Sequence, residues 1–364
     1  MAFAATAAAK EPGFAFKLGD NWRVTPYVAP GYTPEMGGLL AAGGLFSFRT
    51  SMADTVSQRS NFPLAVAYST TGALTVSVVL TSFWKQDRFR VPVDLWFKSM
   101  PDEYYGVGYD AGHDTETSDS TTAYDRTWFW FNPRVMMRIK PSLYAGLDWD
   151  INYTRADDPG PVMQADSTFI ASGPENFNHG VGAIVQLDSR DVPASAWRGT
   201  YLSMRARWYV TALGSDSQYQ IYDVDARHYL PLGRRGRTLA AQFRTRIGTG
   251  AVPWAELSQP GTPFDLRGYR WGRYRDKAMI YGLLEYRRMF GGTPELPGPH
   301  GLVGWVGAGG IAPKLADIED WLPNFGVGYR LQVQPRMNLR LDVGFAEEDD
   351  GWQPALYFNF NEAF

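Results

Sequence analysis

Few side chains in this sequence are of a type and spacing that would catalyse a reaction. Its four histidines, His113, His179, His228 and His300, are scattered and show no metal-ligand spacing. Neither "GTYLS" nor "ASGPE" is a G-x-S-x-G nucleophile elbow. The glycine runs at 106–112 and 180–185 open no amphipathic helix, which argues against a phosphate or dinucleotide loop. The alternating acids Asp148, Asp150, Asp223 and Asp225 could form a catalytic pair or a calcium site. Far more often, alternating acids in a barrel are wall charges, here balancing Arg205, Arg207, Arg244 and Arg246. The expectation is therefore no enzyme, no cofactor and no metal. The chemistry that stands out is ion pairing. "FDLRGYRWGRYRDKAMIYGLLEYRRMF", Phe264 to Phe290, packs Arg267, Arg270, Arg273 and Arg275 into nine residues. It then turns apolar at Ile280, Gly282 and Leu284, with Glu285 on the opposite face of the same strand. Enclosing a charge without a partner costs several kcal/mol, so a cationic loop packed inside a pore needs an anionic wall. The alternative is a solvated surface loop.

The elements that position this stretch follow from composition and period. The chain has 364 residues, no cysteine and a formal net charge of −3. That charge argues against nucleic acid as a partner, and the missing cysteines exclude a disulfide scaffold and thiolate metal sites. Aromatic residues make up 15% and glycines number 38, a mixture that suggests β-structure. No stretch approaches the roughly 18 apolar residues of a membrane helix. A barrel strand, by contrast, needs only about 9–11 residues with one apolar face.

Period two dominates. "LYAGLDWDINY" sets Leu143, Ala145, Leu147, Trp149 and Ile151 against Tyr144, Asp148, Asp150 and Asn152. "FGVGYRLQVQ" and "MNLRLDVGF" alternate in the same way. A soluble sandwich and a membrane barrel both produce this pattern. Three features favour the barrel. About sixteen strands are predicted, at 24–35, 37–49, 62–70, 73–84, 89–98, 123–139, 142–154, 179–189, 200–211, 218–230, 238–248, 277–290, 301–312, 323–334, 337–346 and 354–364. Most are long enough to span a bilayer. With odd strands running outward, the long connections fall mostly on the outer side and the short turns on the inner side; 50–61 and 71–72 are exceptions. Tryptophans gather near strand ends. The expected fold is all-β: a transmembrane antiparallel barrel spanning 21–364, with residues 1–20 as a short tail and the outer connection at about 249–276 folded into the lumen. The N-terminus lacks the pattern of a signal peptide, and the reading is that an export signal has been removed.

Several motifs resemble the BamA/TamA family of bacterial surface-antigen barrels. Leu266-Arg267-Gly268-Tyr269 resembles the family's Val-Arg-Gly-Phe/Tyr loop motif and lies between predicted strands eleven and twelve, as in the family. The resemblance implies that the loop folds into the lumen, with Arg267 on an acidic inner-wall partner, Glu285. "GYTPEMGGLLAAGG" and "AYSTTGALTVSV" are similar to the family's early hairpins. "LDSRDVPASAWRGTYL" is similar to its periplasmic turn, with Asp188, Arg190, Asp191 and Gly199 in place. Leu356, Phe358, Phe360 and Phe364 in "ALYFNFNEAF" resemble its C-terminal strand signal. Two features depart from the family. Gly307 stands where it usually has an aspartate in strand thirteen, so a second acid for Arg267 is either missing or supplied elsewhere. The POTRA domains that receive substrates in the family are also not in this sequence, which is read either as a barrel-only member or as a trimmed piece of a longer chain.

The resemblance implies an integral barrel of the outer membrane of a Gram-negative bacterium that inserts or translocates proteins, or serves as the barrel subunit of a larger complex. Its expected partners are outer-membrane lipid and lipopolysaccharide, and protein substrates or complex subunits, with homodimerisation left open. A passive pore with an unplugged lumen and an inert scaffold are the rival readings. Pro26, Pro30 and Pro34 in the first strand and the polar end "NEAF" after the last would thin the seam between them.

Overall fold

The computed structural model describes residues 16–33, 35–293, 297–334, 336–348 and 351–364. Sixteen strands form its wall. They are β1 (Trp22–Thr33), β2 (Gly37–Phe48), β3 (Ser60–Ser69), β4 (Leu74–Leu80), β5 (Val93–Glu103), β6 (Ala123–Lys140), β7 (Leu143–Asp157) and β8 (Glu175–Asp188). The second half comprises β9 (Gly199–Tyr209), β10 (Tyr219–Pro231), β11 (Arg237–Gly250), β12 (Ala278–Gly292), β13 (Pro297–Ala312), β14 (Leu322–Gln334), β15 (Met337–Glu348) and β16 (Gly351–Phe360). Each pairs antiparallel with the next, and β16 returns to β1, so the sheet closes.

Side-chain exposure along the strands separates the two architectures that the alternation allowed. Leu147, Val306 and Val327 are 71%, 58% and 62% exposed, whereas Asp148, Asp150 and Asn152 are buried. The same inversion holds in β15, where Leu341 is exposed and Arg340 and Asp342 are fully buried. A sandwich would enclose the leucines and wet the aspartates. An inside-out wall of this kind is stable only with its apolar band in lipid and its polar lumen packed with complementary charge.

The long outer connections cap one mouth. Residues 104–122 carry a short helix, Tyr109–Asp114, and residues 158–174 carry two, Pro161–Ala165 and Ser167–Ser172. Asp166 caps the last of these by accepting bonds from the amides of Thr168 and Phe169. Met163 and Phe169 then pack with Tyr104, Tyr124 and Trp254 in a buried apolar cluster over the lumen.

Two differences from the sequence reading have local causes. The strands expected at 73–84 and 89–98 instead end at Leu80 and resume at Val93. Between them Phe83–Trp84 and Phe89–Arg90 form a small hairpin, turned by Lys85, Gln86 and Asp87 at positive φ. It pairs with Met136 and Met137, because β6 runs on past its neighbour β5 at the inner end. The segment read as tail includes Phe16–Leu18, which pairs back on Trp22, Arg23 and Val24.

Leu341 lies mid-strand on the lipid face. Replacing it by arginine should cost about 2–4 kcal/mol of barrel stability, the depth-dependent cost of a cation near the bilayer midplane. Leu341→Phe should be close to neutral. Folding titrations in lipid vesicles measure both, and equal effects would mean that this face does not meet lipid.

Candidate functional site

The β11–β12 connection enters the lumen and crosses it. Its neck is closed by a backbone bridge between Ser258 and Asp276, with N–H to O distances of 2.7 and 3.2 Å. Farther in, the Asp265 carboxylate accepts bonds from the amides of Gly261, Thr262 and Leu266 at 2.9, 2.7 and 2.6 Å. These bonds wind the chain into a tight turn that presents Arg267. Gly268 follows at φ +124°, and a Cβ there would lie 2.7 Å from the Ala346 amide nitrogen. Only glycine permits that conformation this close to the β15 backbone. The Gly268 amide then donates to the Tyr357 hydroxyl at 3.0 Å, and the Tyr269 hydroxyl donates to the Pro323 carbonyl at 2.9 Å.

Arg267 is fully buried and divides its guanidinium between two walls. Nη2 donates to Glu285 Oε1 at 2.5 Å, and Nη1 donates to Asp342 Oδ2 at 2.7 Å. Its plane lies 3.6 Å from the centroid of Trp305, a cation–π contact. Glu285 comes from β12, Trp305 from β13 and Asp342 from β15. The network continues outward from both acids. Arg287 bonds Glu285 at 2.7 Å and donates to the Phe364 carbonyl at 2.9 Å. Arg330 bridges Asp342 at 2.5 Å and Glu362 at 2.8 Å. Arg340 donates to the Pro263 carbonyl at 2.9 Å. Four buried arginines thus share three carboxylates. The excess positive charge is met by backbone carbonyls and by the Trp305 ring. Removing one partner of so enclosed a set leaves a charge without compensation.

The second acid of Arg267 is therefore Asp342, two strands along from the position that Gly307 occupies. A Cβ at Gly307 would lie 2.3 Å from Leu283 Cδ2 and 2.7 Å from the Gly282 carbonyl oxygen, so the wall there is packed too tightly for an acid. Asp342 was legible only as one lumen-facing acid among several. No spacing in the sequence says which wall strands the loop tip will meet, and Glu362 and Trp305 were missed for the same reason.

The loop's other three arginines reach the opposite side. Arg270 pairs with Glu103 at 3.5 Å. The Trp271 amide donates to Glu35 at 2.8 Å, and Lys98 lies 4.4 Å over its ring. Arg273 donates to the Gly112 carbonyl at 2.9 Å, and Arg275 stacks on Tyr104 at 4.3 Å. From Asp342 on β15 to Glu103 on β5, the loop spans the pore. Beside it remains a polar cavity of about 360 Å³. Burial pushes the Glu256 carboxyl, at the cavity edge, up to about 7 against the pull of Arg246. The alternating acids of the wall are taken up by arginines: Asp148 by Arg207 at 2.9 Å, and Asp223 by Arg205 at 3.1 Å and Arg244 at 2.9 Å. Among the described residues no cluster has the composition of a metal site.

The inner turn between β8 and β9 arches across the inner mouth. Asp188 holds Arg190 at 2.9 Å, and Asp191 holds Arg336 of the β14–β15 turn at 3.0 Å. Asp191 also accepts from the Val192 and Trp197 amides at 2.9 and 3.1 Å. Gly199 closes the turn at φ +111°, where a Cβ would lie 2.4 Å from the Ser189 carbonyl oxygen. At the C-terminal end Leu356 is exposed on the lipid face. Phe358 shares that alternation, and the side chain of Phe360 lies outside the described residues. Phe364 departs from the expected register. The strand ends at Phe360, Asn361 takes φ +62°, and Phe364 turns inward beneath Arg287, whose guanidinium lies 4.9 Å from its ring centroid.

The seam is thin. β1 pairs with β2 from Arg23 to Thr33, but among the described residues its ladder with β16 consists of one pair, Tyr32 opposite Phe358. Pro26 and Pro30 remove two amide donors from β1; Pro34 lies outside the described residues.

Residues 61–364 match the Omp85 superfamily domain. No curated protein matches the chain. Among solved structures it is similar to BamA from Haemophilus ducreyi lacking POTRA domains 1–3, with TM-score 0.58 and 13% identity over 93% of this chain and 70% of that one. It is also similar to CdiB from Escherichia coli, with TM-score 0.57 and 12% identity over 93% of this chain and 62% of that one. For CdiB from Acinetobacter baumannii the TM-score is 0.54 and the identity 11%, over 93% and 59%. The chain therefore spans 70% of the first of these structures and 59–62% of the other two. At these identities the likeness is one of fold.

Arg267→Ala should cost on the order of 3 kcal/mol, because it cuts the buried tie from the loop to β12 and β15 and empties the space against Trp305, although Glu285 keeps Arg287 and Asp342 keeps Arg330. Arg267→Lys should recover only part, since an ammonium cannot fork to two walls. Denaturant titration of the refolded barrel measures both. Gly307→Asp should lower stability rather than add a partner for Arg267. A Gly307→Asp barrel as stable as the parent would refute the packing argument.

Proposed function

Because this chain belongs to the Omp85 superfamily, we propose that it works as an outer-membrane barrel that inserts or translocates proteins, with its β1–β16 seam as the place where a substrate strand adds. The sparse seam, one pair among the described residues, carries this reading. In lipid, each unpaired backbone amide or carbonyl costs several kcal/mol, so an edge left short of partners favours pairing with another strand. Strand addition to an open edge supplies main-chain hydrogen bonds whatever the incoming sequence, which suits a machine that handles many substrates.

The loop supports the same reading over a passive pore. A diffusion channel needs a continuous aqueous path, whereas this lumen is crossed by a chain segment tied to opposite walls. The locked loop keeps the barrel sealed while the seam does the work. Arg267 is the proposed lock, with Glu285 and Asp342 as its keepers. Asp188, Arg190, Asp191 and Gly199 are proposed to fix the inner turn under the lumen. Leu356, Phe358 and Phe360 are proposed to guide the barrel's own insertion, with Phe364 serving instead as an inner anchor. Partners on this view are the membrane lipids and unfolded or partly folded outer-membrane proteins.

Cysteines at Tyr32 and Phe358, the positions that face each other across the seam, test the reading. In proteoliposomes the crosslinked barrel should insert an unfolded eight-stranded test barrel at least about five-fold more slowly than its reduced form. Equal insertion with the seam stapled, together with a steady single-channel conductance, would replace this reading with the passive pore.

A further inference from the structure

Arg287 and Arg288 are neighbours in sequence and leave β12 on opposite faces. Arg287 turns into the lumen onto Glu285. Arg288 turns outward, is exposed, and stands directly across the ladder from Arg237 of β11. Paired side chains of this kind start with their Cβ atoms about 5 Å apart, and like charges placed there repel. Among the described residues neither arginine has an ion pair, although Arg288 lies 5.0 Å over the ring of Phe290. The outward positions of β10 to β13, read along the ladder, hold no carboxylate. Arg234, exposed in the adjoining inner turn, adds a third cation.

The position of this cluster identifies its counterion. Arg237 opens β11 at the inner rim of the lipid-facing surface. One step toward the bilayer centre, the same face carries Leu239 opposite Tyr286, with Leu230 beside Leu239, while Leu302 stands beside Arg288 itself. Cations at the rim above an apolar strip match a molecule with a phosphate head and acyl chains. We propose that Arg237 and Arg288, with Arg234, bind the headgroup phosphate of an anionic phospholipid in the inner leaflet, its chains lying along Leu239 and Tyr286. An arginine fork suits the phosphate geometry, and a phosphate between the two guanidiniums turns a repulsive pair into a clamp. The site is independent of whether the seam handles substrates.

Native mass spectrometry of the whole barrel in detergent tests this with four probes: phosphatidylglycerol, a diacylglycerol with the same chains, glycerol 3-phosphate, and a polyglutamate peptide. The barrel should retain one phosphatidylglycerol through activation that strips diacylglycerol, and Arg237→Gln/Arg288→Gln should lower that retention about ten-fold. Thermal unfolding gives a second readout. In detergent free of phospholipid the double variant should melt no lower than the parent, because a repulsion has been removed. In phosphatidylglycerol bilayers it should lose the lipid-dependent gain that the parent shows. Equal retention by parent and variant would overturn the proposal, as would diacylglycerol retained as well as phosphatidylglycerol. Displacement of the lipid by equimolar glycerol 3-phosphate or polyglutamate would overturn it in favour of a soluble phosphate or an acidic protein segment. A lower melting point in detergent alone would make the pair structural and likewise refute it.

Discussion

A guanidinium enclosed in a lumen and shared by two carboxylates from different strands is the constraint on which this barrel is organised. Arg267 cannot be buried without Glu285 and Asp342, which it joins across the wall and which Arg287 and Arg330 hold from their other sides. Satisfying that demand fixes several backbone features at once. Gly268 must allow the loop to lie against β15, and Gly344 must leave room for the Arg267 carbonyl, which a Cβ there would approach to 2.6 Å. Trp305 must offer its face. The turn wound by Asp265 must aim the arginine. The lock is therefore a property of three strands, β12, β13 and β15, and a loop together, and its energy resides in the closed set of charges rather than in one bond.

Closure and locking make opposite demands on the wall. On the β12–β15 side the ladders are long and the lumen face is knitted by Arg287, Arg330 and Arg340. On the β16–β1 side there is one residue pair among the described residues, and Pro26 and Pro30 of β1 lack amide donors. A uniformly strong cylinder would resist opening everywhere. Concentrating ionic crosslinks on strands adjacent to the weak edge lets the last strand be held from within while its hydrogen-bonded flank stays sparse. Asn338 and Arg330 both grip Glu362, two residues past the end of β16.

Much of this was legible in the sequence because period two is a local signal. Sixteen strands, the inside-out alternation and the loop between β11 and β12 all follow from residues close in the chain. The alternation put Glu285 on the lumen face, but its pairing with Arg267 came from the resemblance of the loop motif and not from spacing. What failed was non-local. Asp342 lies seventy-five residues from Arg267, and only the closed barrel brings them together. Phe364 was placed by extending an alternation past Asn361, whose left-handed backbone ends it. The break at Leu80 was hidden because β4 resumes as a hairpin against β6, so the hydrophobic pattern continues although the ladder changes partner.

The carbonyl of Phe364 in the grip of Arg287 also bears on the order of assembly. The groups that secure the loop come from β12, from β15 and from residues beyond β16, all toward the C-terminal end of the chain. Contacts of such long sequence separation form late and slowly. The charges that hold the loop come together only when β12, β15 and the residues after β16 meet, so sealing of the lumen is coupled to closure of the wall.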